Sequence, residues 1–490
     1  MANQTSPAAL IVNNRPASHE DFTQLLALLK KRHISSPPSA EERRNRLLRA
    51  IRLLKQNKEA FAAAYSKDFG FRSPINTLIS DILGSVAALQ YAYDHLPAWM
   101  ESEARDSPFP DTQAFIDYRP LGVIGIISPW NFPLVLTFGP LADVIAAGNI
   151  AVIKPSSSTP NGSALLCKLI GEHFSPEEIS TVQGHNAGTF FAAQPFDHLV
   201  FTGSTATGKQ IMSAAAENLT PVTLELGGKS PVIISESSDL RQAVERILTV
   251  KTFNAGQICI SPDYVLVPRR KIGEFVAHAQ AFIASSYPTL RDNPDYTAII
   301  NAKAFRRLHG LVKEAASLGA EVFELNPANE NLDSEALHKM APTLLVNVPD
   351  SALVMREEIF GPVLPVQGYA TYAECIDTIN RMPRPLAAYY FGHEQAEIDQ
   401  LREHTLSGSL VINDVMSHVL LHDIPFGGVG ASGIGAYHGI EGFKRFSHAR
   451  PVFIQSAQGH SNLPMRAPYG DEVRAFVDQQ LDSMGNPAKA

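Results

Sequence analysis

The chain has 490 residues, 45% apolar and 18% charged, enough for about three units of ~150 residues with cores of their own and too apolar for a disordered chain. A formal net charge of −8 with no basic block argues against nucleic acid and anionic membrane as main partners. Three cysteines in so long a chain cannot be a disulfide framework, which points to a reducing, cytosolic (cytoplasmic) compartment.

Residues 1–18 read as a mobile polar lead without the basic and apolar regions of a secretory signal. Apolar positions then recur at helical spacing through 20–105, and residues 112–119, TQAFIDYR, alternate as a strand apart from that block. Leu121 to Ile153 carries one charge, Asp143, but Pro129, Pro133 and Pro140 interrupt any membrane span, so the stretch reads as buried strand, loop and helix. From 122 onward the short β-rich runs GVIGIIS, IAVIK, DHLVFTG and PVTLELGG alternate with helical stretches, the pattern of βαβ units and a parallel sheet. A second alternation runs from PVIIS at 231 to SGSLVIND at 407–414. The tail offers one strand, PVFIQS, and one amphipathic helix, EVRAFVDQQLDSM.

Four features could carry chemistry. Cys259, in FNAGQICISPDY, sits in a turn after a helix, where a partly exposed thiol can serve as a nucleophile or simply be structural; Cys167 and Cys375 lie inside helices and read as structural. Glu225 lies on the opposite side of its strand from Val222, Leu224 and Leu226. A half-buried carboxylate there can act as a general base, unless it is a solvated edge residue or a partner for Lys229. Lys154 closes the apolar strand IAVI, at the carboxyl end where open α/β sheets bind ligands. The loop Gly203–Gly208, GSTATG, offers backbone N–H groups and a helix N-terminus to a phosphate. Two patterns are set aside. Gly428, Gly430 and Gly433 match G-x-G-x-x-G without the strand and helix that motif needs, and His418 and His422 have metal-ligand spacing without the rest of a site.

Taken together, SPWNFP (128–133), IKPS (153–156), FTGST (201–205), LELGGKSP (224–231), GQIC (256–259), EEIFGP (357–362) and PFGG (425–428) resemble the aldehyde dehydrogenase superfamily, in its order and spacing, over roughly 20–470. GQICISPDYVLVP looks like the class-3-like branch. NPDYTAIIN, VINDVMSHV and GASGIGAYHGIEGFKRFSHARPVF resemble its bacterial members that act on coniferyl aldehyde. The resemblance implies that Cys259 is the nucleophile, that the Asn131 amide and the Cys259 N–H form the oxyanion hole, and that Glu225 is the general base. It implies that Lys154 holds the adenosine ribose, and that Gly203 and Ser204 form the turn under the nicotinamide and pyrophosphate, with Trp130 near the phosphates. Glu358 is implied at the nicotinamide ribose, with Phe360 packed against that end of the cofactor. Many members have an acid three places after the lysine; here that place is Ser157, so use of both NAD and NADP is expected.

The expected architecture is α/β and aldehyde dehydrogenase-like. A Rossmann-type NAD(P)-binding domain would comprise 1–107, 122–225 and 415–434, and an α/β catalytic domain 226–414. A small oligomerisation element would combine the arm 108–121 with the tail 435–490. The expected function is NAD(P)-dependent oxidation of an aldehyde, aromatic (a hydroxycinnamaldehyde) or medium-chain, to the acid. The rivals are a cofactor-independent cysteine hydrolase and an inactive protein on the same fold. Ala114, Ile116 and Tyr118 alternate in the arm as an exposed edge unless a partner covers it, and the resemblance implies at least a homodimer formed by this arm and the Val452–Ile454 strand.

Overall fold

Near-continuous apolar runs become parallel strands buried on both faces, as such runs do when helices cover both sides of a sheet. In the computed structural model, which describes residues 10–484 apart from 110, 185, 186, 333 and 335, Val123–Ile127, Ile150–Lys154 and His198–Thr202 are buried at every position. They belong to an eight-stranded sheet ordered Gly433–Ile434, Val222–Glu225, His198–Thr202, Val123–Ile127, Ile150–Lys154, Ile179–Gln183, Leu10–Val12 and Arg15–Ala17. The five strands from Val222–Glu225 to Ile179–Gln183 are parallel, and both flanks are antiparallel. Val123, Val152, Leu199 and Phe201 carry its core.

A second, seven-stranded sheet runs Glu321–Glu324, Thr343–Val346, Val363–Tyr369, Tyr264–Pro268, Pro231–Ile234, Ala387–Phe391 and Ser409–Ile412. All its pairs are parallel except the first. Its core gathers Ile233, Leu266, Leu345, Val363 and Tyr390. The apolar stretch 121–153 is strand, loop and the helix Val135–Ala146, whose residues from Thr137 on are all buried. Among the described residues no helix is long and apolar enough to cross a membrane.

Packing separates two units. The large one holds the residues up to Trp99 together with Pro120–Ser447, and the small one holds Met100–Arg119 together with the chain from His448. The tail boundary thus lies at 447/448 rather than 434/435. The small unit has a three-stranded sheet, Ser447–Ile454, Gln113–Pro120 and Glu103–Arg105, and the helix Asp471–Ser483, none of whose residues is buried.

Three expectations are corrected. Of the lead 1–18, residues 1–9 lie outside the described part, but Leu10–Val12 and Arg15–Ala17 are a hairpin at the sheet edge, joined by Asn13 and Asn14 at φ 48° and 64°. Two left-handed asparagines in a two-residue turn match the right-handed twist of the flanking strands. Ile11 and Val12 pair with Gln183 and Val182, and Leu10 is buried. Second, the block 20–105 is helical only as far as Trp99; Glu103–Arg105 is a strand. Third, the strand carrying Ala114, Ile116 and Tyr118 is central in its sheet, so the edges belong to Ser447–Ile454 and the short Glu103–Arg105.

Candidate active site

Four adjacent parallel strands of the first sheet deliver the predicted residues at their carboxyl ends. Val222–Glu225 ends in Glu225, and His198–Thr202 leads into Gly203 and Ser204. Val123–Ile127 leads into Trp130 and Asn131, and Ile150–Lys154 into Lys154 and Ser157. The crevice beyond such ends is where open α/β sheets bind ligands. The second sheet contributes loops entering two neighbouring strands: Cys259 precedes Tyr264–Pro268, and Glu358 and Phe360 precede Val363–Tyr369.

The nucleophile turn departs sharply from the helix before it. After Leu240–Thr252 the chain places Asn254, Ala255 and Gly256 at φ 49°, 52° and 69°. Gly256 has no alternative, since a Cβ there would lie 2.4 Å from the Gly361 carbonyl oxygen. Gln257 braces the turn. Its Nε2 donates to the Asn254 and Ala298 carbonyls (3.0 Å each), and its Oε1 accepts from the Ile300 N–H (2.9 Å). Asn131, itself buried, donates through Nδ2 to the Gln257 carbonyl (3.1 Å), and its own carbonyl accepts from Asn254 Nδ2 (3.3 Å). Sequence reasoning missed Asn254 and Gln257. The visible signal was an asparagine, a residue that tolerates left-handed backbone, directly before the nucleophile segment.

Cys259 retains part of its exposure, yet its thiol is pushed up to about 12, first by desolvation and then by the charges of Glu358 and Glu225. Glu225 is buried rather than half-buried. Neither carboxylate oxygen has a hydrogen-bond partner, and burial pushes its carboxyl well above the ordinary carboxylate range. Lys229 is not its partner. Its ammonium pairs with Asp263 and donates to the Val354 (2.8 Å) and Glu357 (3.1 Å) carbonyls.

Glu358 accepts from the Gly228 N–H at 3.1 Å and is raised to about 7 by burial and the neighbouring Asp263 charge. Gly227 makes room for it, since a Cβ there would stand 2.0 Å from Glu358 Oε1. The 357–360 segment is held by Lys229, by Asp263 accepting from the Ile359 N–H (2.9 Å), and by Arg307 donating to the Glu358 and Ile359 carbonyls. Phe360 takes a left-handed φ of 51° and meets Trp130 edge to face at 5.4 Å.

The remaining predicted residues stand at or just after the carboxyl ends of neighbouring strands of the first sheet. Lys154 is 8% exposed, and desolvation pulls its ammonium down; its Nζ donates only weakly, to its neighbour's carbonyl at 3.3 Å. Ser157 lies exposed in the turn that follows. Gly203 donates its N–H to the Glu225 carbonyl (3.0 Å), and a Cβ there would meet the Phe201 ring at 2.4 Å. Ser204 caps the helix Thr205–Ala216 by accepting from the Thr207 N–H, and the other first-turn N–H groups of that helix point out of its N-terminus, a setting that favours phosphate. The G-x-G-x-x-G pattern serves otherwise: Gly433 pairs with Glu225 in the sheet, and Leu226 donates to the Ser432 carbonyl (2.9 Å). His418 shares a hydrogen bond with Ser409 at 2.9 Å.

A model of the aldehyde dehydrogenase family matches residues 28–452. Coniferyl aldehyde dehydrogenase of Pseudomonas sp. strain HR199 is 53% identical over 96% of this chain and 98% of its own. Among solved structures, the substrate-bound state of Staphylococcus aureus AldH superimposes with a TM-score of 0.88 at 32% identity, covering 94% of this chain and 99% of that one. The indole-3-acetaldehyde dehydrogenase AldA of P. syringae, in complex with NAD+ and IAA, gives 0.81 at 25% identity over 89% and 88%. A family model spanning most of the chain and a relative matched almost end to end agree with the arrangement of strand ends and loops, and the chain belongs to the aldehyde dehydrogenase family.

Proposed function

We propose that the chain oxidises coniferyl aldehyde or a related hydroxycinnamaldehyde to the carboxylic acid with NAD or NADP, with Cys259 as nucleophile, Asn131 in the oxyanion hole and Glu225 as general base. The observation that carries this reading is the isolated Glu225 carboxylate, buried with both oxygens unpartnered and close enough to Cys259 for its charge to act on the thiol. A carboxylate kept free of protein donors is available to a water molecule. The substrate assignment rests on the 53% identity to coniferyl aldehyde dehydrogenase.

Cys259 Sγ releases its proton to solvent and adds to the aldehyde carbon. The oxygen becomes an oxyanion facing the Cys259 N–H and the Asn131 amide, which has one proton engaged by Gln257 and the second available. Such preorganised donors are worth about 3–4 kcal/mol each in the transition state. Bound NAD or NADP supplies the hydride acceptor, by which the thiohemiacetal becomes a thioester. Glu225 then takes a proton from water as the water oxygen attacks the thioester carbon, and the acid departs as Cys259 regains its proton. In this reading Lys154 and Ser157 hold the adenosine ribose, and Gly203, Ser204 and Trp130 lie along the pyrophosphate. Glu358 holds the nicotinamide ribose and Phe360 packs against it. The chain up to Trp99, with 122–225 and 415–434, forms the cofactor-binding part, and 226–414 the catalytic part.

The working form proposed is a cytosolic homodimer. The three free cysteines support the compartment. The open edge of Ser447–Ile454, with Phe453 and Ile454 half exposed, supports pairing with a second copy. Light scattering that returned the mass of one chain at micromolar concentration would exclude the dimer. For the reaction, the purified protein is given coniferyl aldehyde with each dinucleotide while nicotinamide reduction and acid are followed together. Equal amounts of both are expected. No nicotinamide reduction with either dinucleotide, together with cleavage of an aryl ester offered in a parallel assay, would establish a cysteine hydrolase instead.

A further inference from the structure

Packed against the Trp130–Pro133 loop is a buried ion pair that the reaction above does not use. Arg72 Nη2 lies 3.0 Å from Asp81 Oδ2, and both side chains are wholly inaccessible to solvent. The guanidinium carbon is 5.1 Å from the Phe69 ring and 5.3 Å from the Phe132 ring. Phe69 packs against Trp130 and Phe132 stacks on Phe253, so the cation is wedged among rings on both sides of Asn131. The other carboxylate oxygen, Asp81 Oδ1, accepts from the Leu134 N–H (2.8 Å) and the Val135 N–H (3.1 Å), where the helix that follows Asn131 begins.

A second anchor sits just upstream. Asn76 Oδ1 accepts from the Thr297 hydroxyl (2.7 Å) and from the Asn254 N–H (3.3 Å), in the left-handed run before the nucleophile. Directly after Asn76 the chain widens into a π-helical turn, Thr77–Leu83, which carries Asp81 and is a rare conformation frequent at functional sites. One short segment therefore grips both loops of the oxyanion hole, the Asn131 loop through Asp81 and the Cys259 turn through Asn76.

We infer that Asp81, fixed by Arg72, is a positioning residue that sets the Asn131 amide against the Cys259 turn for oxyanion stabilisation. The inference rests on the oxyanion role proposed for Asn131. Stability alone does not account for the pair, because buried ion pairs can often be replaced by apolar residues of similar volume at no cost. The two N–H groups at the helix start and the guanidinium engage different oxygens of one carboxylate, so that carboxylate cannot turn without releasing one of them.

The test is a double-mutant cycle on the full chain with Asp81→Asn, Asn131→Ala and both together, measuring kcat, aldehyde KM and dinucleotide Kd. A loss confined to transition-state stabilisation lowers kcat while leaving KM in place. Asp81→Asn should lower kcat by about tenfold with KM and Kd within about twofold, and should cost less than about twofold more once Asn131 is alanine. The apolar replacement Arg72→Met/Asp81→Leu, run in the same cycle, removes the acceptor of the Leu134 and Val135 N–H groups, so its thermal midpoint should fall, but at a temperature where far-ultraviolet ellipticity shows it folded it should show the same kcat loss. A loss that multiplies undiminished in the Asn131→Ala background, or wild-type kcat in Arg72→Met/Asp81→Leu, overturns the inference while leaving the oxyanion role intact. Wild-type kcat in Asn131→Ala overturns the oxyanion role itself, and the inference with it.

Discussion

The most exposed claim is that the free enzyme holds Cys259 as a thiol. Burial and the Glu358 and Glu225 charges push it to about 12. Against an ordinary thiol near 9, that penalises the thiolate by roughly 4 kcal/mol. The residue keeps some solvent exposure, which screens part of the penalty, so the figure is an upper bound. At pH 7.5 the thiolate fraction is on the order of 10⁻⁴ to 10⁻⁵, against about 0.03 for an ordinary thiol. The assay is iodoacetamide alkylation of the free enzyme from pH 6 to 10, read at the Cys259 peptide by mass spectrometry. The rate should climb by close to tenfold per pH unit with no plateau. Glu358, at about 7, ionises within that range and holds the thiol back as it does, so the slope should be shallowest near neutrality. Glu358→Gln removes that charge and should raise the alkylation rate at pH 8 several-fold. A plateau below pH 9 in the wild type would refute the reasoning, because the thiolate would then already be stable in the resting site.

Cys259→Ala should abolish aldehyde oxidation with dinucleotide binding intact, whereas Cys167→Ala and Cys375→Ala should stay active; steady-state rates and dinucleotide titration decide this. In Glu225→Gln, deacylation should slow by about 10²–10⁴-fold, so that single turnover shows a burst of reduced nicotinamide followed by slow release of acid. Because burial raises the Glu225 carboxyl, its basic form gains population as pH rises, and wild-type kcat should increase with pH; a flat profile would argue against it as base. Ser157→Glu should raise KM for NADP far more than for NAD, since only the former carries a 2′-phosphate to repel; equal effects would place Ser157 away from the ribose. Lys229→Met should cost about 3–5 kcal/mol in denaturant unfolding by stranding the buried Asp263 carboxylate.

Much of the site was legible because a parallel strand buried on both faces is almost purely apolar, so its first polar residue is conspicuous. Lys154 and Glu225 stand out at the ends of IAVI and VTL for that reason, and both are buried strand-terminal residues. The setting of Glu225 was harder to read. Lys229 four residues later was one alternative partner, and nothing local shows that Asp263 claims that lysine. Arg72 and Asp81 escaped notice altogether. In sequence they are ordinary polar residues on a helical stretch, and their burial depends on Phe69, Phe132 and the Leu134–Val135 backbone closing around them. The hairpin at Leu10–Ala17 was missed although its Asn-Asn turn is a local signal; its pairing partner lies about 170 residues downstream, beyond any local pattern.

The left-handed run Asn254–Gly256 bears on how the protein acquires activity during folding. Non-glycine residues in that conformation are unfavourable by about 1–2 kcal/mol each, so the isolated segment would rather continue as helix. What offsets this are bonds to Asn76, Ala298 and Ile300, one of them 178 positions away in the chain. Contacts across such separations form late. During renaturation the sheets can therefore assemble around a nucleophile that is still misdirected, and catalytic competence should lag behind the recovery of far-ultraviolet ellipticity.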